Sequence, residues 1–209
     1  YQPGEAQSRV TRRFLELVAQ HRGVRLGITT KGALVLRDLD LLRRIHLRSR
    51  ISVHFSLITL DAELLRRLEP WAPPPEVRLE AMRRLVEAGI DVALNAMPIL
   101  PGLTDGEAGL DALFAGAAAA GVRRAAARLL FLRSPTKEKY LRWLAADFPR
   151  YLEAYERAYA GRVYLAGRYQ KQVHAMAERL LVKHGLGPRA LEEDEDAPPL
   201  QLALWADGV

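Results

Sequence analysis

Four short stretches of this 209-residue chain carry side chains that could do chemistry. In TTKG (29–32), Lys31 follows an apolar run. A lysine there can hold a carboxylate or phosphate through a charge-assisted hydrogen bond. It can also form a Schiff base if it is desolvated, or simply be a solvated loop lysine. In SVHFS (52–56), Ser52, His54 and Ser56 alternate, so on a strand they share one face while Val53 and Phe55 take the other. That polar face must meet a ligand, water or local partners, because unpaired buried hydroxyls are costly; for His54 alone a partner within the core is the simpler expectation. MPILPGLTD (97–105) joins an apolar stretch to a Pro–Gly turn and an Asp. Bare main chain there can read a flat heterocycle, or merely form a turn. In EPWAPPPEVR, Glu69 and Arg78 bracket a Pro-rich bend, either a loop folded over a site or a stiff spacer.

Other chemistry is excluded. There is no Cys, so this chain offers no disulfide, thiolate ligand or Cys nucleophile. The five His (21, 46, 54, 174 and 184) lack the close spacing of a zinc site. The net charge of +6 raises a basic nucleic-acid-binding module as one reading. Most Arg, however, is interleaved with Glu and Asp in helical stretches, as on solvated helix faces. No run reaches the ~18–20 apolar residues of a membrane helix. Without a leader pattern at Tyr1, the expectation is a cytoplasmic protein with no membrane contact.

The elements that must position these residues follow from periodicity. An amphipathic helix is predicted over 6–22, with Val10, Phe14, Leu17 and Val18 on its buried face. Strands are predicted at 24–29, 51–58, 90–100 and 122–132. Helical patterns fill 33–46, 62–69, 75–89, 106–120, 136–160 with a break at Pro149, and 167–184; Asp61 and Asp105 stand at N-cap positions. Strands separated by helices pair in parallel. The chain is therefore α/β, barrel-type or doubly wound, and the four stretches above fall at the C-terminal ends of strands, where such folds place their sites. YQPGE (1–5) reads as a βα loop turned by Pro3 and Gly4, with Glu5 in a helix's first turn. A helix with no strand before it implies an earlier strand. Four strands also fall short of a closed barrel, and 24–29 would be an exposed parallel edge.

TTKGALVLRDLDLL (29–42), FSLITLDAELLRRLEPWAPPPEVRLEAMRRLVEAGI (55–90) and MPILPGLTD (97–105), with the later FLRSPTKEKYLRWLAADFP (131–149), resemble radical SAM proteins of the spore photoproduct lyase-like branch. The resemblance spans roughly residues 1–185. It implies a partial (βα)6 TIM-type barrel, with strands 3–6 present and the first two missing. The implied layout is a partial barrel over 1–135, a C-terminal helical extension over 136–187, and an acidic, disordered tail over 188–209, within which LALW (202–205) might have docked back on the body.

The family carries a CxxxCxxC loop that holds a [4Fe-4S] cluster. The cluster reductively cleaves S-adenosylmethionine to a 5′-deoxyadenosyl radical. By this resemblance Lys31 holds the carboxylate of S-adenosylmethionine, Ser56 lies near its ribose, and Met97 and Pro98 meet its adenine. Met97 replaces the branch's usual Ala, and Trp71 and Pro74 vary its EPxAPSP-type loop. The cluster loop is absent, so the expectation is the C-terminal part of a radical SAM enzyme, inactive alone and partnered by a missing N-terminal barrel segment. The substrate stays open, with DNA-related chemistry admitted by the kinship. Two alternatives stand beside this: a Schiff-base, aldolase-like α/β barrel enzyme using Lys31, and the basic nucleic-acid-binding module.

Overall fold

The computed structural model describes Tyr1 and residues 4–187. Pro3, the acidic run and LALW lie outside the described residues. The order is α1 (Glu5–Ser8), α2 (Val10–Val18), β1 (Arg25–Thr30), a 3-10 helix (Ala33–Asp38), α3 (Leu39–His46), β2 (Arg50–Ser56), α4 (Ala62–Leu68), α5 (Pro75–Glu87), β3 (Asp91–Ile99), α6 (Glu107–Ala119), β4 (Arg124–Leu129), α7 (Thr136–Asp147), α8 (Pro149–Ala158) and α9 (Arg168–Lys183). The strands form one parallel sheet in chain order, β1-β2-β3-β4. The α/β expectation therefore holds, and β1 is an edge strand among the described residues.

Register explains why the strands read as they do. Gly27 pairs with Ser52 and Thr29 with His54 across β1 and β2, and Ser56 pairs with Asn95 across β2 and β3. These residues share the polar face. The opposite face carries Val53, Phe55 and Leu94, none of which is exposed at all, in one core with Leu42, Met82 and Leu85 from the covering helices. A side-chain period of two sends one set to the helices and leaves the other for the site. His54 takes the bland option: its Nε2 lies 3.0 Å from Ser52 Oγ.

Two local expectations are corrected. The first helix is not continuous, because Arg9 is left-handed (φ 51°) and splits it. Its buried residues are Leu15, Val18 and Ala19, while Val10, Phe14 and Leu17 are more than half exposed. Leu15 and Val18 recur three apart and can share a face as well as the chosen stripe can, and periodicity alone did not choose between them. Asp61 caps α4 as expected, accepting from the Leu64 N–H at 2.9 Å. Asp105 does not cap α6, whose N-cap is Gly106. Its carboxylate turns back to accept from the Gly102 N–H at 2.8 Å and the Tyr169 hydroxyl at 2.6 Å.

Candidate functional site

The β1 and β2 mouths open into a cleft of about 840 Å³. Lys31, Thr29 and Thr30 line it from β1, Ser56 from β2, and Glu69, Trp71 and Pro73 from the Pro-rich loop between α4 and α5. That loop covers the mouth and is not a remote spacer. Trp71 is almost fully exposed on it.

One guanidinium organises this side. Arg78, on α5, has no exposed surface. Its Nε donates to the Pro73 carbonyl (2.7 Å) and its Nη1 to the Ser56 carbonyl (2.8 Å). Its Nη2 lies 2.7 Å from Glu69 Oε2, and Glu69 Oε1 accepts from Lys31 Nζ at 2.7 Å. Lys31 itself is half exposed and Glu69 nearly buried. Arginine suits this place because its planar fork serves several acceptors at once, which a lysine ammonium on a single stem does not do in that geometry.

Behind Lys31, the chain that follows β1 is tied down by a second ionic cluster. Asp38 is fully buried at the end of the 3-10 helix. It accepts from the Tyr1 hydroxyl (2.8 Å), Arg12 (2.9 Å) and Arg37 (2.8 and 3.0 Å). Burial opposes its ionisation, but the bonds from Arg37, Arg12 and Tyr1 win and hold its carboxyl below the usual carboxylate range. Glu5 accepts from the Thr11 N–H (3.0 Å), so it serves the start of α2, and from Arg37 (2.9 Å). The Thr11 N–H foremost, with Arg37, lowers the Glu5 pKa to about 2.

The β3 and β4 mouths are held differently. Tyr155 donates to the Pro101 carbonyl (2.8 Å), Tyr159 to the Leu130 carbonyl (2.7 Å) and Tyr169 to Asp105. Tyr140 and Tyr155 pack with ring centroids 5.7 Å apart, and Tyr155 stacks on Tyr159 at 5.9 Å. Gly102 is required in this turn: its φ is +74°, and an added Cβ would lie 2.7 Å from the Tyr151 ring. Burial, above all, pushes the Tyr155, Tyr159 and Tyr169 hydroxyls above the ordinary tyrosine value.

The structure thus brings Lys31 and Ser56 into one cleft. Met97 and Pro98 stand at the end of β3, on the neighbouring strand, and do not line that cleft. Sequence reasoning noticed Glu69 and Arg78 as brackets of a bend but missed that they pair with each other and reach Lys31. It also missed the tyrosines, although six of the seven lie between residues 140 and 169. Among the described residues no group of three or more His, Asp or Glu is arranged to hold a metal. None of the helices described is long and apolar enough to cross a membrane.

Known proteins share this architecture. The protein Rv2578c of Mycobacterium tuberculosis is 33% identical over 187 residues, covering 88% of this chain and 55% of the relative. The protein MJ0683 of Methanocaldococcus jannaschii is 35% identical over 107 residues, covering 51% of this chain and 39% of the relative. The chain thus spans about half the length, or less, of these relatives. Among solved structures, spore photoproduct lyase complexed with dinucleoside spore photoproduct superposes with a TM-score of 0.61 at 20% identity, covering 88% of this chain and 55% of that one. A double mutant of the same enzyme, with bound AdoMet and dinucleoside spore photoproduct, gives the same figures. The four-stranded sheet is therefore a partial radical SAM-type barrel. The radical SAM superfamily description matches residues 5–114, just over half of the 209. The chain belongs to the radical SAM superfamily.

Proposed function

We propose that this chain supplies the S-adenosylmethionine-binding mouth of a radical SAM enzyme, and that Lys31 receives the ligand's carboxylate. The observation that carries the reading is the convergence of Lys31 and Ser56, from adjacent strands, on one cleft. The cleft fits such a ligand. Its volume of about 840 Å³ lies within the roughly 300–1,000 Å³ of small-molecule sites. It presents an ammonium for a carboxylate and hydroxyls for a ribose. Ser56 serves the sugar side, and the main chain at Met97 and Pro98 lies one strand over for the adenine edge. When bound, S-adenosylmethionine supplies a reactive 5′-carbon; this chain's part is to bind and orient it.

The cluster does not fit this chain. Thiolates hold it in the family, and there is no Cys here. Its ligands would come from the portion of the relatives that this chain does not span, and the chain alone is inactive in reductive cleavage. The dinucleoside held by the lyase structures makes a nucleic-acid substrate one reading for the whole protein. The Schiff-base alternative gains nothing from the structure, because Lys31 is half exposed and bonded to Glu69, not enclosed in an apolar pocket.

Calorimetric titration with S-adenosylmethionine tests the reading. Lys31→Ala should weaken binding roughly 10-fold or more, the worth of one charge-assisted hydrogen bond. Equal affinity in the two proteins would remove Lys31 from the site.

A further inference from the structure

We infer that Glu69 and Arg78 are positioning residues that give Lys31 its selectivity for a ligand carboxylate. This rests on the proposed role of Lys31 and extends it to residues that touch no ligand carboxylate themselves. Arg78 is fully buried, which is expensive for a charge; an apolar side chain of similar volume would pack there without that desolvation. What an apolar residue could not do is hold Glu69. Arg78 takes Glu69 Oε2 at 2.7 Å and leaves Oε1 aimed at Lys31, also at 2.7 Å. The same guanidinium grips the Ser56 carbonyl at 2.8 Å. One buried side chain on α5 therefore sets the spacing between the two cleft residues expected to meet opposite ends of the ligand.

The charges point the same way. Arg78, Glu69 and Lys31 form a line of plus, minus, plus. With Arg78 claiming half of Glu69, the lysine is oriented without being fully neutralised. Glu69 is its only partner among the described residues, so further N–H donors of the ammonium remain for the cleft. A ligand carboxylate completes the alternation.

The test compares S-adenosylmethionine with its decarboxylated analogue by calorimetry, on the wild type and on Lys31→Ala, Glu69→Gln and Arg78→Lys. Thermal melts monitor folding. The wild type should prefer the carboxylated ligand by about 10-fold or more, and Lys31→Ala should abolish the preference. Glu69→Gln keeps the shape of the side chain; it should cut the preference about 5- to 10-fold with little change in affinity for the decarboxylated ligand. Arg78→Lys should do the same, since an ammonium cannot serve three acceptors in that geometry. A purely structural role would weaken both ligands alike and leave their ratio intact. If the wild type and Lys31→Ala differ in selectivity but Glu69→Gln matches or exceeds the wild type, the positioning role is overturned and the Lys31 reading survives. If the wild type itself shows no preference, the Lys31 reading fails and this inference falls with it.

Discussion

The two ends of the sheet solve one problem with different chemistry. At β1 the mouth is held by charges: Glu5, Arg12, Arg37 and Asp38 tie down the chain behind Lys31, and Arg78 with Glu69 ties it in front. At β3 and β4 the mouth is held by neutral hydroxyls from α8 and α9, where Tyr155, Tyr159 and Tyr169 bond to loop carbonyls or to Asp105. Ionic partners orient a charged side chain and leave a field in the cleft. Phenols fix a loop while leaving it uncharged and apolar. The contrast matches an ion-reading end beside a main-chain-reading end.

The sharpest way to break this comparison is at Asp38. Asp38→Ala removes the shared acceptor of Arg12, Arg37 and Tyr1. Leaving partly buried cations without their partner should cost about 3–5 kcal/mol, measured by urea unfolding. A loss no larger than that of an exposed ion pair would mean that the β1 mouth does not depend on its charges.

Acid and alkali should then separate the two ends. A carboxylate with a depressed folded-state pKa adds stability above its unfolded value and loses it as pH falls. The Glu5 value of about 2 places that loss between its ordinary 4.5 and about 2, and Asp38 moves in the same direction. The buried tyrosines are raised, so their contribution is full below the ordinary value of 10.0 and is lost as pH rises above it. Hydrogen exchange should show residues 5–40 loosening first in acid and 136–169 loosening first in alkali. Tyr1 is also raised, so the β1 end is not wholly spared at high pH. Uniform loosening in acid would erase the distinction.

The smallest effect is expected at one phenol. Tyr155→Phe keeps the ring stack and removes only the bond to the Pro101 carbonyl. It should cost about 1–2 kcal/mol, with little dependence on salt, whereas the Asp38 loss should shrink in concentrated salt. A salt-sensitive loss in Tyr155→Phe would mean that the β4 side is electrostatic too.

Much of the fold was legible because it rests on local rules. The four strands are apolar runs bounded by Gly-ended helices, and Asp61 is a side chain competing for a helix's first N–H groups. Alternation in SVHFS placed Ser52, His54 and Ser56 on one face, and register then joined them to Gly27 and Asn95. The failures occurred where two solutions were locally equivalent. The first helix offered two apolar stripes, and packing against α3 selected Leu15 and Val18 over Val10, Phe14 and Leu17. Asp105 had a capping position available, but Tyr169, 64 residues away, offered it another partner.

The sequence by itself determined the parallel α/β plan, the placing of Lys31 and Ser56 at strand ends, and the absence of any thiolate. These depend on residue type and on periods of two and 3.6, which neighbours in the chain already define. Only the tertiary structure decided which charges meet. Lys31 and Glu69 are 38 residues apart, and Arg37 and Glu5 are 32 apart. No local pattern encodes a contact between side chains brought together by crossovers, and a charge in a helix looks the same in sequence whether it faces water or, like Arg78, is fully buried.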